Sequence, residues 1–384
     1  ILQRGGTEAS RISHSNSADL VFSIGSSVTD AFKIASDGSL STPTSGTSNV
    51  RFGVNAGNSI TSGGNFNTVV GDEAGTAITT GDKNIAVGYE ALKGNTTGSL
   101  HVAIGAGALK ATSDVTYNVA IGHESGTAVT SGTENVFVGA LTGDALTDAD
   151  YNVAIGHGAL SADILGSRST AVGRSALQNQ SFDSATNSNN TAVGYNAGAQ
   201  ITTGTINTLL GSQTGASITS GVENTIVGAL AGDALTDADF NVAVGSSALS
   251  ADTKGSRTVA IGRNALLGQN FSSSTSSNNT AVGYEAGRNT TIGLDNTYLG
   301  SNAGYATTDS DDNVAIGRSA LATNTLGSRS TAIGSQALNA QNPNSATNML
   351  NVAVGYHAGN DVTTGTNNTL IGALAADNLT TGNH

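Results

Sequence analysis

One phrase governs this chain, written variously as NIAVGYEAL, NVAIGHGAL, NTAVGYNAG and NVAVGYHAG. Its central glycine recurs 19 times from Gly53 to Gly372, and 14 of the 18 steps are 17 residues long. One step is 18, and three (Gly173 to Gly194, Gly262 to Gly283, Gly334 to Gly355) are 21. Repetition at a fixed period overrides a domain count taken from the 384-residue length. A 17-residue unit is too small to bury its own apolar side, so stacked copies must bury a continuous core.

With that glycine as position 0, position −1 is always apolar and −3 always Val, Ile or Thr. Position −2 is Ala in 12 of 19 copies, −4 is Asn in 15, and +3 is Ala in 16; +4 is Leu or Gly except at Ala376. β-Branched residues two apart specify a short strand with −3 and −1 on one face and −2 on the other. The −3 and −1 residues, Thr included, are expected to face inward. AITTG, QITTG, SITSG and DVTTG suggest a second, shorter strand closed by a turn. The expected fold is therefore all-β, a parallel β-solenoid of about 19 coils. Asn at −4 would stack on Asn in the next coil and hydrogen-bond along the axis, besides serving as a turn residue. At ~4.8 Å per coil the array would be roughly 90 Å long.

A longer period overlies the short one. Gly105 to Gly194 and Gly194 to Gly283 are each 89 residues, four steps of 17 and one of 21, so five-coil blocks were duplicated. Residues 1–48 lack the phrase and read as a β-rich connector, with 49–384 the repeat domain. ADLVFSIGSSVTDAFKIASDGSLST alternates like a hairpin turning at Asp37-Gly38. Pro43 and Pro343 both fall outside the expected strands, as a hydrogen-bonded ladder requires.

The repeats resemble the head of trimeric autotransporter adhesins, and the alternation with NTxxGxxAGxxITTG is similar to repeats in bacteriophage tail fibres. The resemblance spans residues 49 to about 376. It implies a left-handed parallel β-roll, intertwined or side by side in a homotrimer, located in the virion. The partners it implies are copies of itself, other tail or baseplate proteins, and a host cell-surface glycan or protein. The function it implies is the structural shaft of a tail fibre, spacing or presenting host-receptor binding. The alternatives are the head of a bacterial surface adhesin, extracellular or on the cell surface, and the subunit of a secreted filament. Adhesin coils are usually a few residues shorter. Beginning at Ile1 without a basic-then-apolar leader, the chain reads as a fragment or a processed product.

Composition narrows the chemistry. A formal net charge of −13 argues against nucleic acid as a partner, and no run of 18 apolar residues suggests membrane insertion. Without cysteine there are no disulfides or thiolate metal sites. No HExxH, GxSxG, Walker A or Rossmann pattern stands in its required context, so no enzyme, catalytic residue or cofactor is expected. His123 and His157 fall at the variable +1 position and are expected at the surface. The two GDALTDAD loops supply Asp144, Asp148, Asp150 and Asp233, Asp237, Asp239, weak candidates for Ca²⁺ and otherwise solvated turns. The 21-residue coils each add a polar loop, in which Asn179, Gln180, Phe182 and Phe271 are receptor-contact candidates, the phenylalanines as exposed aromatics. GSR turns bearing Arg168, Arg257 and Arg329 precede each long coil and are expected to pair with a carboxylate or carbonyl. An ice- or mineral-binding face would need a flat rank of Thr pairs, which inward-facing −3 residues would not supply.

Overall fold

The computed structural model describes residues 2–4, 7–14, 20–24, 29–34, 40–42 and 45–382. Among them there are strands and turns and no helix; the chain is a parallel β-solenoid of about 19 turns, each of roughly 17 residues. Two compact units divide it, the first of residues 1–167 with 183–185, the second of 168–182 with 186–384.

The first unit opens with an antiparallel sheet of Leu2–Arg4, Thr7–His14, Leu20–Ile24, Thr29–Ile34 and Leu40–Ser41. Thr29–Ile34 and Leu40–Ser41 pair antiparallel, the two strands that flank the expected Asp37-Gly38 turn, and Leu20–Ile24 pairs with Thr29–Ile34, with the Phe22 and Phe32 rings 5.8 Å apart. The Asp37-Gly38 turn lies outside the described residues, as does Pro43. Seven solenoid strands follow, from Val50–Phe52 to Val153–Ile155. The second unit carries twelve, from Thr170–Val172 to Thr369–Ile371. Within each ladder like pairs with like, for example Val102 with Val119, Ala103 with Ala120 and Ile104 with Ile121.

The strand faces are the reverse of the sequence expectation. Position −2 points inward: Ala86, Ala103 and Ala120 are fully buried. Positions −3 and −1 point outward and are half-buried or exposed, as in Val102 and Ile104. A coil this slim has room inside for a methyl group opposite the larger residues that its turns supply, so the branched residues go outside. The TTG segments form bends instead of a second strand. Backbone bonds to a single carbonyl of the next coil join them, for example Thr79 N–H to Thr96 O at 2.8 Å, and the Thr79 hydroxyl donates to the same carbonyl at 3.0 Å. Among the described residues a second short ladder stands beside the long coils, where Gly255–Ser256 pairs with Thr275–Ser276 and Gly327–Ser328 with Thr347–Asn348, and a lone parallel bridge joins Ser99 to Thr116.

The turns explain the glycine. Position 0 has φ between +124° and +143°, and a Cβ on Gly122 would stand 2.2 Å from the carbonyl oxygen of Gly139 in the next coil. No side chain fits that column. Positions +2, +4 and +12 are also left-handed, as at Glu90, Leu92 and Leu100.

Inside the coil, several fillings recur. In eight coils Ala at −2 goes with Leu at +4 and a buried polar residue at +7, as in Ala86, Leu92 and Asn95; in four, Ala at −2 goes with Gly at +4, as in Ala120 and Gly126, where Phe137 and Leu109 of the adjoining coils fill the space. A bulky residue at −2 goes with Gly at +4 and an aliphatic at +7, as in Leu209, Gly215 and Ile218. Phe137 and Tyr298 are the largest cases, each flanked by two +4 glycines, Gly126 with Gly143 and Gly287 with Gly304.

Asn at −4 does bond along the axis, mostly from side chain to backbone. Asn67 Oδ1 accepts from the Asn84 N–H at 3.0 Å, while Asn84 Nδ2 donates to Gly98 O within its own coil at 2.9 Å. Amide-to-amide bonds join Asn224 to Asn207 and Asn368 to Asn351. His101 replaces one Asn and continues the column, its Nδ1 accepting from the Asn118 N–H and its Nε2 lying 2.8 Å from Val115 O.

Candidate functional site

The long coils are where the fold departs from its own rule, and their loops are built from the inside outward. In a 17-residue coil the −4 Asn spans to the carbonyl at +10. Four inserted residues displace that carbonyl, and −4 becomes Ser169, Thr258 or Ser330. A glutamine at +7 takes over the bonding. Gln269 Nε2 donates to Asp252 Oδ2 at 2.6 Å and to the Thr258 hydroxyl at 3.0 Å, and its Oε1 accepts from Asn279 at 2.9 Å. Gln180 joins Ser169 to Asn190, and Gln341 joins Ser330 to Asn351.

Three of the four proposed receptor contacts are therefore corrected. Gln180 is fully buried because it closes its coil. Phe182 and Phe271 are 6% and 5% exposed, not surface aromatics. Phe271 roots its loop: its N–H faces Asp252 and its carbonyl accepts from the Thr253 hydroxyl at 2.8 Å. Pro343 is buried at the matching place in the third long coil. Only Asn179 reaches the surface, half-buried and bonded to Gln200. The exposed parts of the later loops are Ser272–Ser274 and 344–346. Gln at one register in all three long coils, and in no other coil, was the sequence signal for this interior role.

The acidic loops scatter their carboxylates over positions +5, +9 and +11. Asp150 accepts from the Thr133 N–H at 2.7 Å, and Asp239 from the Val222 N–H at 2.8 Å; each caps a turn of the preceding coil. Asp237 accepts from the Thr236 hydroxyl, while Asp148, like it, sits in the surface turn. Asp144 and Asp233 each bury one oxygen that has no hydrogen-bond partner among the described residues, and burial pushes both carboxyls up. No three His, Asp or Glu side chains among the described residues are grouped to hold a metal ion. The candidates for Ca²⁺ are thus not brought together, because each Asp lies in a different column.

Of the GSR arginines, Arg329 meets the carboxylate of Asp312 at 3.4 Å, as expected. The Arg257 N–H donates to Asp239 O. His123 and His157 are exposed, as predicted.

A long apolar surface file was hidden by the inverted faces. Every −1 residue is Val, Ile, Leu or Phe, and in the solenoid ladder this file points outward beside the Val, Ile and Thr of −3. Ile104, Ile121 and Ile155 are each 38% exposed, Leu210 and Leu299 more so. At ~4.8 Å per coil, the twelve coils of the second unit alone carry the file for about 50 Å. Position +12 also carries exposed apolar residues, Tyr117, Tyr151, Ile206 and Phe240, as does Leu350 five residues before Gly355 in the third long coil. The file is a contiguous run of exposed or half-exposed apolar side chains. Among the described residues, no helix is long and apolar enough to cross a membrane.

Among family models, curated proteins and solved structures, none matches this chain. Its class is given by its architecture, a parallel β-solenoid repeat protein with one apolar strand face.

Proposed function

We propose that the chain is the structural shaft of a bacteriophage tail fibre, non-catalytic and homotrimeric, spacing or presenting the part that meets the host. The unbroken apolar −1 file carries this reading, because a solenoid exposing such a strip along its strand face needs something of the same length and repeat to cover it. Parallel copies of the same chain match both. The resemblance of the repeats to tail-fibre and adhesin arrays supports three copies. The buried glutamines and the capping aspartates account for the conspicuous polar motifs without catalysis.

Sedimentation of the full chain tests the self-association: the expected mass is three times that of one chain. Glutamate at Val193, Val227 and Val244, three outward −1 positions, should yield a monomer that keeps its β-type circular dichroism. A wild-type monomer, or a trimer indifferent to the three charges, counts against the shaft. The phage assignment is tested by the neighbouring genes, which should encode tail and baseplate proteins; a secretion operon would favour the adhesin head or the secreted filament.

A further inference from the structure

On the turn beyond the strand, positions +1, +2 and +5 form three side-chain columns along the coils. In the coils of Gly88, Gly105 and Gly122 the +1 column reads Tyr89, Ala106, His123, and the +2 column reads Glu90, Gly107, Glu124. The middle coil contributes one methyl group and no other side chain to these two columns. The result is a notch of about 190 Å³, lined by Tyr89, Glu90, Gly107, Lys110, His123 and Glu124 among others. Pockets for drug-sized ligands run to roughly 300–1,000 Å³, so this one holds a single small ring. Its flanking coils are two steps apart, ~9.5 Å. A ring seated at contact distance, ~3.5–4 Å, from both sides needs about 7–8 Å, and the remainder suits a puckered ring better than a flat one.

The chemistry of the lining is that of hydroxyl recognition. Tyr89 is 55% exposed and offers an aromatic face. Glu90 is bound by Lys110 and Lys93, each at 2.6 Å, which hold its carboxyl down to about 2. That leaves a fixed row of acceptors and ammonium donors with little net charge. Glu124 adds a second, half-exposed carboxylate beside the His123 ring, 4.0 Å away. An anionic ligand would be repelled by that carboxylate. Geometry and charge point to one neutral pyranose, and we propose that this notch is a binding subsite for a single neutral sugar residue of a glycan. Affinity at one such place is expected in the millimolar range. Several chains held together would multiply it through avidity. The proposal does not depend on the shaft reading, since sedimentation reports on one and sugar contact on the other.

The test is saturation-transfer NMR on the full chain with methyl glucoside, methyl galactoside and N-acetylglucosamine at millimolar concentration, and with methylammonium as a cationic probe. Ala106→Tyr and Gly107→Glu fill the notch with side chains that Tyr89, Glu90 and Glu124 already carry in the same columns, the last two at the same left-handed φ. Tyr89→Leu removes the aromatic face without adding bulk. At least one sugar should give a transfer signal in the wild type, and each variant should weaken binding at least tenfold with an unchanged thermal midpoint. No signal from any of the three sugars, a signal that survives Ala106→Tyr, or binding of methylammonium alone would overturn the proposal.

Discussion

The coil of Gly211 and the coil of Gly262 fill one interior in opposite ways. The first puts Leu209 at −2, leaves Gly215 at +4 and closes with Ile218 at +7; the second uses Ala260, Leu266 and Gln269. All five of these larger and smaller side chains are fully buried. A Cβ on Gly215 would stand 2.8 Å from Ile218 and 3.0 Å from Leu209, so the glycine is the complement of its neighbours. What the array keeps is a filled interior, with neighbouring coils sharing the volume where Ala at −2 meets Gly at +4, as Phe137 and Leu109 do around Gly126. Which column supplies the volume is free, and a polar +7 becomes possible only where Leu at +4 has done the filling, or where a ring as large as Tyr298 has.

The strongest way to break this view is at Tyr298, whose ring lies between Gly287 and Gly304. Its hydroxyl sits among Thr290, Thr307 and Ser310, and its pKa is pushed up to about 12, first by burial. Tyr298→Ala should cost about 3–5 kcal/mol through the void it leaves. Adding Leu at Gly287 and Gly304 recreates the Ala–Leu filling of other coils, whose leucines already hold a left-handed φ, as at Leu92 and Leu109. More than half of the loss should return in thermal denaturation. A triple variant no more stable than the single one would show that residue identity, not volume, is what the coil requires.

Next in size is the polar half of the comparison. Gln269→Ala leaves the Asp252 carboxylate, the Thr258 hydroxyl and the Asn279 amide short of partners inside the coil. The expected cost is about 2–4 kcal/mol. Removing Asp252 as well should restore part of it, since the stranded charge goes. Ile218→Ala in the plain coil should cost a similar amount, with no second site able to rescue it by losing a polar group.

The solenoid itself could be read from the chain because a 17-residue period leaves one economical way to bury its apolar side. The facing of the strands could not. Val102, Ala103 and Ile104 alternate identically whether the branched pair points in or out; what decides is the room inside the coil, set by Leu109 on the following turn and its counterparts in the adjoining coils. The error at Phe182 and Phe271 has the same root. An aromatic in a Ser- and Asn-rich insertion reads as exposed until the insertion is seen to need an anchor. By contrast the exposure of His123 was legible, since a column that also accepts Tyr, Arg, Ala and Ser has no packing to satisfy.

The gentlest predictions set two buried titrating groups against each other. In His101, Nδ1 accepts from an amide while Nε2 meets a carbonyl, so the neutral ring fits and desolvation lowers its pKa below the usual 6.5. The unfolded chain then binds the proton more readily. Stability from this residue is complete above pH 6.5 and declines as pH falls toward the lower folded value. His101→Asn, the residue of the column elsewhere, should flatten that decline between pH 7 and pH 5, values chosen to bracket roughly the ordinary histidine range. Asp144 behaves with the opposite sign. Burial raises its carboxyl, so the folded chain holds the proton more tightly, and stability is lost as pH rises through the folded value. Asp144→Asn, with Asp233→Asn as its copy in the duplicated block, should raise the melting temperature slightly at neutral pH and leave it unchanged in acid, where the carboxyl is already neutral. Melting curves that move equally at both ends of the range would mean that the unpartnered oxygen contributes through shape alone, and that the two GDALTDAD coils owe nothing to their charge.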